Sequence, residues 1–183
     1  NNFLVFRNDL FKRLDLSSFI SQQGRDYATS KYSVAKPEVN YLGTNYFGTN
    51  PPEPTNNKLH ICTCSILYPN KQIILLAECL KELNIPIKWT HIGNGPEENK
   101  LKQISRNFPQ NIAFYYLGFL KNDQVKDFYL NNHIDLFVNV SQAEGLPVSI
   151  LEAMSASIPV LAPRIGGIEE IGIPDEYLLS KSF

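Results

Sequence analysis

The sequence predicts a doubly wound α/β fold, a parallel sheet with helices packed on both faces. Three observations predict it. From residue 59 onward, short apolar runs alternate with segments of helical periodicity. The alternation is strict, so each strand must return through a helix, and such crossovers bury a parallel sheet on both sides. Finally, the apolar run at 134–140 leads into Ala143-Glu144-Gly145-Leu146-Pro147-Val148-Ser149-Ile150-Leu151-Glu152, which reads as strand, Gly-containing loop and helix.

Taken in order, residues 59–65 make the first strand of this block and 71–83 its amphipathic helix. Residues 86–92 are the second strand and 96–108 the next helix. A third strand covers 112–117, and a helix follows over 123–131 with Asn122 as its cap. After the strand at 134–140, Pro147 is expected at the first helical position, where its missing N–H costs nothing. A fifth strand spans 158–162, and a short turn or helix covers 168–171. The ligand of such a sheet belongs at the carboxyl ends of the strands, beside the switch in strand order.

Residues 1–57 have weak periodicity and end in the Pro-rich segment Gly48-Thr49-Asn50-Pro51-Pro52-Glu53-Pro54-Thr55-Asn56-Asn57, which reads as a linker. The chain starts at Asn1 without a methionine, and no closing helix follows Ile171 before Phe183. Both ends are therefore expected to be truncations.

Composition narrows the function. The 183 residues are 43% hydrophobic, enough for one compact core. Seventeen basic against eighteen acidic residues give a formal net charge of −1, which argues against a dedicated nucleic-acid binder. Cys62, Cys64 and Cys79 suit a reducing compartment better than a disulfide framework, and Cys62 and Cys64 are expected in the core. No Cys–His spacing matches a metal site, so His60, His91 and His133 are assigned structural roles. No apolar run approaches the ~20 residues of a membrane span. Phe3-Leu4-Val5-Phe6 is too short for a signal sequence. A cytoplasmic location is expected, with contact at the inner face of the membrane left open.

The chemistry gathers on the 143–152 segment. Free N–H groups at the helix start, at its positive dipole end, suit a phosphate. Glu144 in the loop and Glu152 in the helix offer carboxylates that accept hydrogen bonds from hydroxyls, as on sugars and riboses. The combination points to a nucleotide-sugar site.

Several further landmarks carry a resemblance. They are Ser65-Ile66-Leu67-Tyr68-Pro69-Asn70-Lys71, His91-Ile92-Gly93-Asn94-Gly95-Pro96-Glu97, Leu117-Gly118-Phe119-Leu120, Glu144-Gly145-Leu146-Pro147 to Glu152-Ala153-Met154, and Ile158-Pro159-Val160 to Gly166-Gly167. In order and spacing they resemble the carboxyl-terminal, donor-binding half of a family 4 retaining glycosyltransferase of the two-domain GT-B fold. Arg25-Asp26-Tyr27 and Tyr41-Leu42-Gly43-Thr44 resemble the interdomain region of bacterial cell-surface polysaccharide transferases in that family. The resemblance implies that 1–57 is the end of an amino-terminal domain with its linker, and 58–183 a Rossmann-like nucleotide-sugar domain.

It also implies roles. Glu144 would contact hydroxyls of the transferred sugar and Lys71 would be a countercharge to the diphosphate; these two are the expected catalytic residues. Glu152 would bind the ribose, the backbone of Gly145, Leu146, Pro147 and Val148 would hold the diphosphate, and the Gly118-Phe119-Leu120 loop would lie near the base. The implied activity is transfer of a sugar to an acceptor hydroxyl with retention, in polysaccharide or glycan synthesis. Its partners would be a nucleotide-sugar donor, a glycan or lipid-linked acceptor and the missing amino-terminal domain, with no cofactor and no metal. One departure stands out: many relatives carry arginine where Ile66 stands, so charge stabilisation falls to Lys71 alone or to Arg164 from the later loop.

Alternatives remain at this level. Ile66 favours a non-catalytic nucleotide-sugar-binding or interaction module. A nicotinamide-dependent oxidoreductase fits the sheet, but the third glycine of the fingerprint after Gly93-Asn94-Gly95 would fall at Glu98. That stretch reads instead as a strand-to-helix turn at the cleft. A glycosidase pair fits less well, because one glutamate is placed at the phosphate end and the other toward a ribose. Gly166 and Gly167 are expected in a tight turn, and Trp89, Tyr115, Tyr116 and Phe128 in core or domain contacts.

Overall fold

The computed structural model describes residues 2–53 and 57–180, with side chains from Arg7 onward. Residues 54–56 of the Pro-rich segment, the side chains of Phe3-Leu4-Val5-Phe6 and the last three residues lie outside that description. The chain opens with α1 (Asn2–Arg13), β1 (Ser17–Phe19), α2 (Gln22–Lys31) and β2 (Pro37–Val39). The strands β1 and β2 pair in parallel as a separate two-stranded sheet. Sequence periodicity is weak here because both strands are three residues long and α2 is polar on most of its surface. Ser21 starts α2, its hydroxyl accepting the Gly24 N–H at 3.0 Å.

The main sheet follows: β3 (Leu59–Cys64), α3 (Ile73–Lys81), β4 (Ile87–Ile92), α4 (Glu98–Ser105), β5 (Ile112–Gly118), α5 (Asn122–Asn131), β6 (Leu136–Val138), α6 (Val148–Ser155), β7 (Val160–Pro163) and β8 (Leu178–Leu179). The strands are parallel throughout and lie in the order β5-β4-β3-β6-β7-β8. The order reverses between β3 and β6, which places the crevice of a doubly wound sheet beyond their carboxyl ends.

Alternation along the strands divides the core in two. Cys62 and Phe137 pack with Val125 and Tyr129 of α5 and Ile150 and Ala153 of α6. Their neighbours Ile61 and Val138 pack on the other face with Ile73, Leu76 and Leu80 of α3 and Leu101 of α4. Neighbouring residues on a strand point to opposite faces, so apolar residues at consecutive positions are what a sheet covered on both sides requires. Trp89 is fully buried, and its indole N–H donates to the Thr63 hydroxyl at 3.0 Å.

Three helix starts differ from expectation. Asn122 is the first residue of α5, not its cap. Lys121 holds the cap position, and the Gln124 side-chain carbonyl reaches back to its N–H at 2.9 Å. Pro147 is the cap of α6 in extended geometry (φ −75°, ψ 110°), and Val148 is the first helical residue. Lys71 closes a single 3-10 turn, Pro69–Lys71; Gln72 then adopts a left-handed conformation (φ 53°) and α3 begins at Ile73. Tyr115 is exposed on the edge strand β5 and is not a core residue; Lys88 Nζ lies 5.7 Å from its ring centre.

The segment from Phe47 to Pro51 passes the carboxyl end of α6 and the residues that lead into β6. Phe47 and Gly48 N–H groups donate to the Ser155 carbonyl at 2.9 and 3.3 Å. The Asn50 side chain donates to the Ile134 carbonyl at 2.8 Å and accepts the Ile134 N–H at 3.1 Å.

Candidate functional site

An open cleft of about 510 Å³ lies where the carboxyl ends of β3, β4, β5 and β6 meet. Cys64, Ser65 and Ile66 come from the end of β3, and Ile92, Gly93 and Asn94 from the end of β4. Phe119 and Leu120 follow β5; Glu144, Leu146, Pro147, Val148, Ser149 and Glu152 belong to the β6–α6 passage. Close backbone packing shapes this mouth. Gly93 has φ +125°, and a Cβ on it would stand 2.0 Å from the Ser65 carbonyl oxygen, so no larger residue fits.

Of the residues singled out by sequence, Lys71, Glu144, Glu152, Leu146, Pro147, Val148, Phe119 and Leu120 line this cleft. Gly145 and Gly118 do not. Gly145 turns its carbonyl to the Gly167 N–H at 2.7 Å, and the Gly118 carbonyl accepts the Gly93 N–H at 2.7 Å. Both therefore shape the loops whose neighbours form the wall. Cys64, half-buried against the core, also reaches the cleft, whereas Cys62 is fully buried.

Lys71 Nζ donates to Glu144 Oε1 at 2.7 Å, and both side chains are largely enclosed, 19% and 10% exposed. Glu144 Oε1 also accepts from Asn139 Nδ2 at 3.2 Å. Asn139 is buried at the carboxyl end of β6, and its side-chain oxygen accepts the Ser141 N–H at 2.9 Å. The Gln142 N–H donates to the Asn70 carbonyl at 2.8 Å, joining the loop after β6 to the turn that carries Lys71. Sequence reasoning passed over Asn139. Its one signal is a carboxamide among the apolar residues 136–140, next to the loop that holds Glu144.

Glu152 stands one turn into α6, partly buried in the cleft wall. Burial pushes its carboxyl pKa above the usual 4.5. Among the described residues, no protein donor bonds to its carboxylate. Ahead of it, the amides of Val148 and Ser149 precede the first acceptor that α6 can supply, while the Ile150 N–H donates to the Pro147 carbonyl at 3.1 Å. Among the described residues, the cleft thus offers free amides and the positive end of a helix beside a carboxylate that lacks donors.

Ile66, at the place where the resemblance would put arginine, is 47% exposed and forms part of the wall. Arg164 is not its substitute. The guanidinium pairs with Asp175 at 2.8 Å and lies outside the lining, which leaves Lys71 as the one cation among the described lining residues. His60 and His91 are buried, which lowers each imidazole pKa to about 4 and keeps it neutral at physiological pH. Among the described residues, no three His, Cys, Asp or Glu side chains converge as metal ligands would. No helix among them is long and apolar enough to cross a membrane.

The same architecture occurs in known proteins. HepE from Anabaena, solved in complex with UDP and glucose, superposes with a TM-score of 0.77 at 19% identity, covering 99% of this chain and 54% of that one. The gpi3 subunit of phosphatidylinositol N-acetylglucosaminyltransferase from Schizosaccharomyces pombe is 27% identical over 135 residues, 72% of this chain and 29% of that protein. The putative teichuronic acid biosynthesis glycosyltransferase TuaC from Bacillus subtilis is 30% identical over 115 residues, 63% of this chain and 27% of its own length. The chain therefore spans less than a third of these two curated relatives. The model for glycosyl transferases group 1 matches residues 50–181, the whole of the main sheet with its cleft. This chain belongs to the group 1 glycosyl transferases and carries the Rossmann-like sheet of their GT-B fold.

Proposed function

We propose that the chain is the donor-binding domain of a retaining glycosyltransferase that works in polysaccharide or glycan synthesis. The observation that carries this reading is the pairing of free amides at the α6 start with Glu152, a partly buried carboxylate that has no donor among the described residues. A nucleotide sugar matches both needs. Its diphosphate accepts from the Val148 and Ser149 amides, and its ribose hydroxyls donate to Glu152. Glu144, held by Lys71 and Asn139, faces the sugar end. Phe119, 68% exposed at the rim, offers an apolar face to the base.

In the reaction, the bond from the anomeric carbon to the diphosphate oxygen breaks and a bond to the acceptor oxygen forms on the same face. Negative charge grows on the departing diphosphate, and one of its oxygens takes up the proton that the acceptor hydroxyl gives up. Fixed amides, the α6 dipole and Lys71 stabilise that charge without a metal. The amino-terminal part of a GT-B enzyme supplies the acceptor side, so this chain alone binds donor but turns it over little or not at all. The three unpaired thiols suit a reducing, cytoplasmic setting.

Calorimetric titration with uridine, guanosine and adenosine diphosphates, their sugar conjugates and NAD tests the reading. Binding of one nucleoside diphosphate and its sugar conjugate, unchanged by chelator, is expected. Preference for NAD, or no binding to any of them, would refute it. A second reading, a binding module without catalysis, draws support from Ile66 in the cleft wall. Transfer activity of a protein that joins this domain to a GT-B amino-terminal domain separates the two.

A further inference from the structure

The lining of the cleft poses a charge problem. A diphosphate brings two or more negative charges to a wall holding two carboxylates, Glu144 and Glu152, and a single described cation, Lys71. That cation is already engaged, since Lys71 Nζ lies 2.7 Å from Glu144 Oε1 in a largely enclosed pair. While the pair is closed, the lysine is neutralised as a phosphate ligand and one oxygen of Glu144 is taken up. Neither group is then fully available to the ligand half that it serves. Asn139 changes the outcome of opening the pair. Its Nδ2 donates to that same Oε1 at 3.2 Å, its Oδ1 is fixed by the Ser141 N–H, and its backbone N–H donates to the Leu161 carbonyl at 2.9 Å. The carboxamide is therefore held from several directions and stays with Glu144 when the lysine leaves.

We propose that Lys71 and Glu144 form an exchangeable ion pair, which the donor diphosphate opens by drawing Lys71 away, while Asn139 holds the released carboxylate ready for a sugar hydroxyl. Asn139 is thus a positioning residue, acting through Glu144. The inference rests on the donor-binding reading above and adds a coupling to it. Occupation of the phosphate end releases the group that recognises the sugar, so the two halves of the ligand favour each other's binding. It also accounts for how a cleft with isoleucine at the arginine place accepts a diphosphate with one lysine.

The test is a calorimetric cycle on the whole chain with UDP, UDP-glucose and inorganic pyrophosphate as probes. The variants are Glu144→Gln, Asn139→Ala and Lys71→Met, each checked for an unchanged circular dichroism spectrum. Glu144→Gln weakens the hold on Lys71 while keeping the shape. It should tighten UDP and pyrophosphate by roughly fivefold and abolish the preference for UDP-glucose over UDP. Asn139→Ala should leave UDP affinity within about twofold while reducing the UDP-glucose preference. Asn139→Asp serves as a second variant should alanine not fold; it places a charge against Glu144 and should lose the same preference. Lys71→Met should weaken all three probes. UDP binding that is unchanged or weaker in Glu144→Gln, with UDP still bound by the unaltered chain, overturns the exchange alone. Failure of every variant and of the unaltered chain to bind any of the three probes, or guanosine or adenosine diphosphate, overturns the exchange together with the donor-binding reading.

Discussion

Gly166 lies directly beneath Glu144: a Cβ at Gly166 would stand 1.9 Å from the Glu144 carbonyl oxygen. Next to it, the Gly167 N–H donates to the Gly145 carbonyl at 2.7 Å. The 3-10 turn Gly166–Glu170 is therefore the floor on which the Glu144 loop rests. Gly166 also adopts φ +55°, a left-handed conformation that a side chain disfavours. Gly166→Ala is expected to cost about 1–3 kcal/mol in stability and to lower nucleotide-sugar affinity by at least tenfold, because the loop must move. Thermal unfolding and titration of the same variant check both effects.

The far end of that turn ties the first part of the chain to the main sheet. The Glu170 carboxylate accepts the Gln22 N–H at 2.7 Å, the Gln23 N–H at 3.0 Å and the Tyr41 hydroxyl at 2.9 Å. It completes the start of α2, where the helix dipole favours a negative charge. Burial works to raise its pKa, but the Gln23 and Gln22 amides and the Tyr41 hydroxyl together outweigh it, so the net value lies below the usual 4.5. A carboxyl with a depressed folded pKa stabilises the fold above its unfolded value and loses that contribution as pH falls through the folded one. Glu170→Ala should cost about 1 kcal/mol at pH 7. The difference from the unaltered chain should shrink below pH 4.5 as the clamp protonates, followed by urea unfolding across pH.

Much of this architecture was legible in the residues. The strands around the cleft are legible because short apolar runs at 59–65, 86–92, 112–117 and 134–140 alternate strictly with helical patterns, which demands a sheet covered on both faces, and Cys62 and Ile61 do pack on opposite faces. Helix starts were less legible. Asn122 has the right chemistry for a cap, yet Gln124 reaches back to Lys121 and shifts the boundary by one residue. The strand β8 was missed because two residues, Leu178 and Leu179, show no periodicity. In the site, Glu144, Glu152 and Lys71 stood out as charges at recognisable spacing. Asn139 and Glu170 did not: Asn139 stands only five residues before Glu144, but its contact with that carboxylate, like those of Glu170 with Gln22, Gln23 and Tyr41, exists only in the fold.

Glu152 gives a prediction with opposite signs on stability and binding. Its raised carboxyl pKa means that the unfolded chain gives up this proton more readily than the folded one. Stability accordingly falls as pH rises from 4.5 through the higher folded value, and the full penalty persists at neutral pH. Glu152→Gln should therefore raise the melting temperature of the unliganded chain at pH 7. It should weaken nucleoside diphosphate binding by roughly tenfold, the loss of hydrogen bonds to a charged acceptor. Differential scanning fluorimetry with and without nucleotide reads both quantities from one sample.

Ile66 offers a gain-of-function test. It is exposed in the cleft wall, so a longer polar side chain can point into solvent and toward the ligand without disturbing the core. Ile66→Arg should strengthen diphosphate binding by about tenfold through a bidentate contact, whereas Ile66→Lys should gain less. Affinity for inorganic pyrophosphate, measured by competition, separates this phosphate effect from any contact with base or sugar.

A crystal structure of the chain soaked with UDP-glucose would show which protein atoms meet an activated sugar. The diphosphate oxygens are expected on the Val148 and Ser149 amides with Lys71 turned onto them, the ribose on Glu152, and the hexose on Glu144. Well-ordered ligand bound elsewhere, or in this cleft with Glu152 and the α6 amides untouched, would contradict that placement.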